Sequence, residues 1–339
     1  MASLGLAENL NIPQLPSYLG MVNKRLVKAA DSTSPALKQP LLRAVNAKSK
    51  RLRPALVLAC GLGAELSDST VSGGAAIELV HLGSLVHDDI IDKSDSRWGR
   101  PTINVSDGDA AALLVGDFLL ARAGGLAAKL STEAAQLISQ TITTLAEGES
   151  LEITEKYKTS RTIDSYFACI NAKTAALISA ACRLGATCAG LNSKQTHALA
   201  EYGQNLGIAF QIIDDLMDIL STPQLLGKPV GRDAKSGVYT LPVLVCLQGL
   251  SQKSLKTLLA KSNFSNQALA KLLLNDGSIT QVITEIKKYN HLAQRALAGL
   301  NAQAVSGLSA FPDIYLGWAL MNQIAPAYRS KISSHQYYG

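Results

Sequence analysis

Two apolar stretches, residues 75–87 and 206–213, each run directly into the same acidic pattern, Asp88-Asp89-Ile90-Ile91-Asp92 and Asp214-Asp215-Leu216-Met217-Asp218. Both stretches read as buried helices. On a helix of 3.6 residues per turn the first and last carboxylates of each repeat, Asp88 with Asp92 and Asp214 with Asp218, share a face. Like charges at that spacing repel, and each desolvated carboxylate costs roughly several kcal/mol unless a cation compensates it. Too few basic residues flank the repeats to do so. Hard oxygen ligands on rigid helices suit Mg²⁺, which takes one or two carboxylates and completes its octahedron with water and substrate phosphate. Two facing clusters therefore point to a diphosphate held between metal ions. The competing account is a pair of acidic helix ends in water, and two copies embedded in apolar helices weigh against it.

Length alone, 339 residues, suggests about two domains, but no linker supports a split. A hydrophobic fraction of 47% with only 5% aromatic means a core of Ala, Leu, Ile and Val, the composition of packed helices, and strand signals are scarce. The expectation is an all-α, single-domain bundle over 13–339 behind a flexible leader, 1–12. The net charge of +6, with a pI near 9.0, favours acidic partners, but the basic residues are scattered and form no aromatic-interleaved stripe, which argues against nucleic acid. Cys60, Cys169, Cys182, Cys188 and Cys246 sit in apolar stretches without zinc-type spacing and read as reduced core residues. Apolar windows such as 174–182 fall short of the roughly 18 to 20 residues of a membrane span, so no transmembrane segment and a soluble, cytoplasmic protein are expected.

Along the chain, helical patterns run from Pro16 to about Ala30 and on to about Lys48, interrupted at Asp31–Pro35. The basic cluster Lys48-Ser49-Lys50-Arg51-Leu52-Arg53-Pro54 leads into an apolar segment, 55–64. Pro54 fits the first helical position, which places Lys50 and Arg53 at a helix N-terminus as a phosphate cradle. A solvated basic turn is the alternative. Ser69 or Thr70 can cap the helix that delivers the first repeat. His81, seven residues before Asp88, shares its helix face, although a lone His on an apolar face is commonly a satisfied core residue, and the same holds for His87.

Past Asp92, a Gly/Pro-punctuated loop carries Arg97, Trp98 and Arg100, and Arg97 is placed to fork onto a phosphate. Helices are expected over about 106–129, 132–158, 162–190 and 194–220, with Gly124-Gly125 marking close packing or a kink. Lys173-Thr174 interrupts an apolar face, and a buried lysine needs an anion, either a bound diphosphate or a local Asp or Glu. Gln211 precedes the second repeat. The segment 227–242 is too rich in Gly and Pro for regular structure and reads as a mobile flap bearing Lys228 for phosphate and Asp233 for a metal-bound water or a charge partner. From Leu241 to about Ala327 the pattern is helical and no chemistry shows. The tail from Arg329 to Gly339 reads as disordered or folded over a site.

In this order the two acidic repeats, the Lys-x-x-Arg-Pro cluster, Lys-Thr, the Gln and the Gly-Lys flap resemble the trans-prenyltransferases, the isoprenyl diphosphate synthases or polyprenyl synthetases, over about residues 45–245. The resemblance implies a helical bundle of isoprenoid synthase type around a central cavity, normally a homodimer, with three Mg²⁺ ions between the repeats. It also implies the reaction: ionisation of an allylic prenyl diphosphate, addition of isopentenyl diphosphate and loss of a proton. By resemblance Asp88, Asp92, Asp214 and Asp218 are metal ligands, supported by Asp89 and Asp215. Arg97, Lys173, Gln211 and Lys228 hold the allylic diphosphate, with Thr174 near the ionising bond, and Lys50, Arg53 and His81 hold isopentenyl diphosphate.

Two positions depart from the family pattern. Trp98 stands where a second Arg is usual, and Val238 where the flap usually has Lys. Losing two cations weakens diphosphate binding by about 1 to 3 kcal/mol each unless neighbours such as Arg100 or Lys235 compensate. Short-chain members carry an aromatic residue four or five positions before the first Asp. Here Ser84 and Gly83 occupy those places, which moves the tunnel floor deeper, near Leu119 or Ala123, and implies a geranylgeranyl or longer product. Two rival readings share the scaffold: a terpene cyclase, kept alive by Trp98 and Val238 but without use for a second diphosphate pocket at Lys50, Arg53 and His81, and a regulatory subunit, whose usual sign would be a damaged repeat.

Overall fold

Helices dominate because Ala and Leu are the commonest core residues here and β-branched runs are short. The computed structural model describes Gly5 and residues 9–47, 49–227, 229–261 and 263–333. In chain order the helices are α1 (Leu15–Ala29), α2 (Pro35–Val45), α3 (Leu52–Ala59), α4 (Asp68–Ile91), α5 (Ile103–Asp107), α6 (Asp109–Ala128), α7 (Thr132–Glu155), α8 (Ile163–Ile170), α9 (Ala176–Cys188) and α10 (Ser193–Leu220). The C-terminal part adds α11 (Pro223–Leu226), α12 (Arg232–Lys235), α13 (Leu241–Gln248), α14 (Gln252–Leu259), α15 (Asn266–Asp276), α16 (Ser278–Ala296), α17 (Ser306–Asn322) and α18 (Pro326–Ser333). The bundle is all-α apart from one small hairpin, β1 (Ser96–Arg97) with β2 (Arg100–Pro101).

Two long helices organise the rest. α4 packs along α6, and α10 lies between α9 and α16, so the apolar residues before each acidic repeat are buried and the repeats emerge at the C-terminal ends of their helices. Ser67, rather than Ser69 or Thr70, caps α4 by accepting from the Thr70 N–H. Asn192 and Gln195 form a capping box on α10.

Several expectations are corrected. α3 begins at Leu52, so Pro54 is its third residue, and Arg51 precedes the helix in the left-handed region at φ 52°. The loop after Asp92 is a hairpin in which Trp98 and Gly99 both have positive φ, the geometry that tight two-residue turns require. The helix expected over 106–129 is broken at Gly108, where φ is 89°. Gly124 and Gly125 mark neither close packing nor a kink, because α6 is continuous and a Cβ on either would meet nothing within 4 Å. The flap is not wholly irregular, since α12 supplies one helical turn within it. Arg329 to Ser333 are helical in α18, and 334–339 lie outside the described residues. Within the stretch read as a leader, Leu10 and Ile12 are buried in the core, while 1–4 and 6–8 lie outside the described residues.

Two rods, Asp109–Ala128 and Ile163–Cys188, are long and apolar enough by length and composition to cross a membrane, against the expectation from short windows. The second is mostly packed inside the bundle. All five cysteines are free.

Candidate active site

The Lys173-Thr174 pair sits at a break in helix geometry. Residues Asn171–Ala175 form a π turn between α8 and α9, a bulge that widens the helix and turns side chains away from their regular stations. Two glycines let neighbouring helices close on it. A Cβ at Gly148 of α7 would stand 2.7 Å from the Lys173 nitrogen, and one at Gly207 of α10 would stand 2.5 Å from the Ala175 Cα. Lys173 Nζ lies 2.6 Å from Glu149 and 2.5 Å from Glu152 of α7. Burial works against its ammonium, but Glu152, Glu149 and Asp88 outweigh it and hold the pKa above the ordinary lysine value. The partner of this lysine in the fold is thus a local glutamate pair, a signal present in the sequence as i, i+3 acids facing an apolar rod but not singled out there.

At the end of α4 each aspartate meets a cation. Asp89 is buried and takes Arg97 Nε on both oxygens at 3.0 and 3.1 Å, with Nη2 at 2.9 Å from Oδ1. Asp92 lies 3.3 Å from Lys156 Nζ. Burial pushes the Asp88 carboxyl up to about 7, with Lys173 opposing. Arg97, expected on a phosphate, is engaged by Asp89 in this structure.

The second repeat is held differently. Thr174 Oγ1 donates to Gln211 Oε1 at 2.7 Å, Gln211 Nε2 donates to Asp215 Oδ1 at 2.7 Å, and Tyr166 Oη donates to Asp215 Oδ2 at 2.6 Å. Burial still pushes Asp215 up to about 7 against those two bonds. Asp218, also buried, accepts from the backbone N–H groups of Arg232 and Asp233 at 3.4 and 3.3 Å, and so anchors α12 of the flap. Arg232 Nη2 reaches Ser94 at 3.4 Å, which ties the flap to the loop after the first repeat. Lys228 lies outside the described residues.

The basic end divides into structure and site. Arg51 is a scaffold residue, paired with buried Glu78 at 2.6 Å and donating to the Val45 carbonyl at 2.6 Å. Arg53 Nη1 lies 3.1 Å from His81 Nε2. A guanidinium only donates, so His81 accepts there, and burial followed by Arg53 holds its pKa well below the ordinary histidine value. Lys50 Nζ sits 4.1 Å from the Trp318 ring centroid. Trp318 and Tyr315 belong to α17, where no chemistry was expected, and with Phe210 they stack into an apolar wall, with centroids 4.9 Å apart for Phe210–Tyr315 and 5.7 Å for Tyr315–Trp318. His87 packs on Gly116 of α6 and stays outside the site.

One cleft of about 1070 Å³ collects these groups. It is lined by Lys50, Arg53, His81, Asp92, Arg97, Lys173, Thr174, Gln211, Asp214, Asp215, Asp218 and Asp233, together with the unpredicted Glu152, Arg161, Tyr315 and Trp318. Asp88, Asp89, Gly83, Ser84 and Leu119 are not among its lining residues, so the first repeat reaches the cleft through Asp92. Gly83 instead lets α4 close on α6, where an added Cβ would meet Leu120 at 3.0 Å and the Gly116 carbonyl at 3.2 Å.

A family model described as polyprenyl synthetase matches residues 34–276. The chain belongs to the polyprenyl synthetase family. It is therefore an all-helical prenyltransferase. Heptaprenyl diphosphate synthase component 2 of Bacillus subtilis is 34% identical over 80% of this chain and 75% of that protein. Octaprenyl diphosphate synthase of Haemophilus influenzae is 33% identical over 89% and 90% respectively. Among solved structures, a polyprenyl synthase from Caulobacter crescentus complexed with calcium and isoprenyl diphosphate has a TM-score of 0.82 at 29% identity, covering 92% of this chain and 98% of that one.

The donor set fits a hard divalent cation. Half-buried Asp88 and buried Asp215 are both pushed up to about 7 by desolvation, a penalty on their charged forms that a bound cation would offset. Among the described residues no three acidic, His or Cys side chains are grouped so that they could hold a metal ion by themselves.

Proposed function

We propose that this chain is a Mg²⁺-dependent trans-prenyltransferase that condenses isopentenyl diphosphate with an allylic prenyl diphosphate. One observation carries the reading: a single cleft brings Asp92 at the end of the first acidic repeat, all three aspartates of the second, the Lys173–Thr174–Gln211 group and the Arg53–His81 pair together, so two diphosphates and their metal ions fit one enclosure. Bound Mg²⁺, with three ions expected, would neutralise the departing diphosphate. Asp88, Asp92, Asp214 and Asp218 would hold it, with Asp89 kept in place by Arg97 and Asp215 by Tyr166 and Gln211. Lys173 would add positive charge on the allylic side, where it can exchange Glu149 or Glu152 for a phosphate oxygen. Lys228 would join it there. Lys50, Arg53 and His81 would bind isopentenyl diphosphate, Arg53 as a donor aligned by His81. Phe210, Tyr315 and Trp318 keep water off an allylic cation and offer it π faces.

The product proposed is geranylgeranyl or longer, and the hepta- and octaprenyl relatives favour the long end. Gly83 and Ser84 offer no aromatic stop, and Leu119 or Ala123 would then set the tunnel floor. Incubation with labelled isopentenyl diphosphate, farnesyl diphosphate and Mg²⁺, with chain length read by chromatography, tests both parts. Release of diphosphate without elongation would favour a cyclase, and farnesyl as the sole product from shorter starters would defeat the length assignment.

The assembly proposed is a homodimer through α6. That helix exposes Leu113 and Leu114 together with small residues at Ala110, Ala121 and Gly125, an apolar face suited to a second helix. The Bacillus relative is one component of a synthase, so a different subunit is the other occupant to test for. Light scattering of wild type and Leu114→Glu decides: a monomeric wild type that turns over alone would exclude the homodimer.

A further inference from the structure

Arg161 occupies the turn between α7 and α8, is 6% exposed, and lines the cleft. Its Nη1 donates to the Tyr239 carbonyl at 3.1 Å, and its guanidinium carbon lies 5.7 Å from the Tyr166 ring centroid. Its other two nitrogens, Nε and Nη2, are buried without a hydrogen-bond partner. Those two N–H groups form the side-on fork that matches a pair of phosphate or carboxylate oxygens. The nearby acids are engaged elsewhere, Asp215 by Tyr166 and Gln211 and Glu152 by Lys173. The Cys169 thiol beside the guanidinium is only a weak acceptor, and burial raises its pKa to about 11. A guanidinium keeps its charge at any working pH, so burying one beside a cleft with its fork empty is strongly unfavourable unless an anion arrives.

We propose that Arg161 is a diphosphate-binding residue of this cleft, with Nε and Nη2 gripping two oxygens of the allylic diphosphate while Nη1 remains on the flap at Tyr239. The assignment rests on the prenyltransferase reading above. It places the cation next to Val238, where the flap lacks the usual Lys. Arg100 and Lys235, the compensating neighbours expected from sequence, are exposed and line no part of the cleft. Arg161 also belongs to the correct half of the site, since its neighbour Tyr166 bonds to the same Asp215 that Gln211 reaches, and Gln211 in turn accepts from Thr174. Holding the diphosphate and the Tyr239 carbonyl at once, it links occupancy of the cleft to the position of the flap.

The test uses the full chain with Mg²⁺ and inorganic pyrophosphate as the calorimetric probe, alongside KM for each substrate. Arg161→Gln should weaken pyrophosphate binding and raise the allylic KM by about tenfold or more, leaving the isopentenyl diphosphate KM within about twofold. Arg161→Lys should fall between, because an ammonium keeps the charge but not the fork. Val238→Lys added to Arg161→Gln should recover part of the loss, which a purely structural role would not allow. Unchanged pyrophosphate affinity in a folded Arg161→Gln would overturn the assignment. Where that variant does not fold, unchanged affinity in Arg161→Lys would do the same. Wild type that neither binds pyrophosphate nor turns over fails the functional reading itself, whereas active wild type with indifferent variants fails Arg161 alone.

Discussion

The two acidic repeats share one spacing and lead different lives. At the end of α4 the carboxylates meet cations: Asp89 meets Arg97, Asp92 meets Lys156, and Asp88 faces Lys173. At the end of α10 Asp215 takes the Tyr166 hydroxyl and the Gln211 amide, and Asp218 accepts from two flap N–H groups. The first repeat is therefore coupled to charges that a diphosphate can recruit, and the second is built into the scaffold that positions the flap. Substitution should separate the two, since the first repeat should give up activity with little stability and the second should give up both.

The largest effect is expected at the carboxylates that lead each repeat. Asp88→Asn and Asp214→Asn should each lower kcat/KM by about 10²- to 10³-fold, the scale of losing one preorganised charge at a reacting centre. Asp88→Asn should not lower the unfolding midpoint, because burial already disfavours the charge at that site. Isopentenyl incorporation and thermal unfolding on the same preparations check both statements. If both variants keep more than about a tenth of wild-type activity, neither repeat binds the metal.

A middle-sized effect sharpens the contrast in stability. Asp218→Ala should cost about 1 to 3 kcal/mol, because two flap N–H groups lose a buried acceptor, and should speed proteolysis within 227–240. Asp92→Ala removes one half-exposed pair and should cost under about 1 kcal/mol. Tyr166→Phe, which leaves Asp215 with Gln211 alone, should fall between at about 1 to 2 kcal/mol. Equal losses in denaturant titrations of Asp218→Ala and Asp92→Ala would erase the distinction between scaffold and site.

How much of this was readable beforehand follows the same divide. Periodicity and composition were enough for an all-α bundle, and the two repeats, Lys173-Thr174, Gln211, Arg53 and His81 were visible as polar residues interrupting apolar rods. What stayed hidden were partners supplied by tertiary packing. Glu149 and Glu152 look like ordinary surface acids until the π turn brings Lys173 onto them. Tyr315 and Trp318 lie 97 and 100 residues beyond Asp218 in a helix whose pattern shows only apolarity. Arg161 reads as a loop cation, and nothing in its neighbours says that it is buried. Hydrogen-bond geometry hid the rest, since Asp214 and Asp218 look alike in sequence and the flap N–H groups that Asp218 accepts are brought to it by tertiary packing.

The smallest effect extends the contrast to the basic wall. His81 is half-buried and accepts from Arg53, and desolvation followed by the Arg53 charge holds its folded pKa well below the ordinary value of about 6.5 that the unfolded chain keeps. Below about pH 6.5 the unfolded chain therefore binds a proton that the folded protein refuses. Stability rises with pH wherever the unfolded state holds more protons, so the His81 contribution is present above pH 6.5 and is lost as pH falls. Asparagine keeps an acceptor for Arg53 and does not titrate, so the stability difference between wild type and His81→Asn isolates this group from every other acid in the protein. Between pH 7.5 and 5 that difference should move against wild type by about 2 kcal/mol in denaturant titrations. Parallel curves would mean that His81 protonates freely in the folded state, and Arg53 would then have to be aligned by something other than a neutral imidazole.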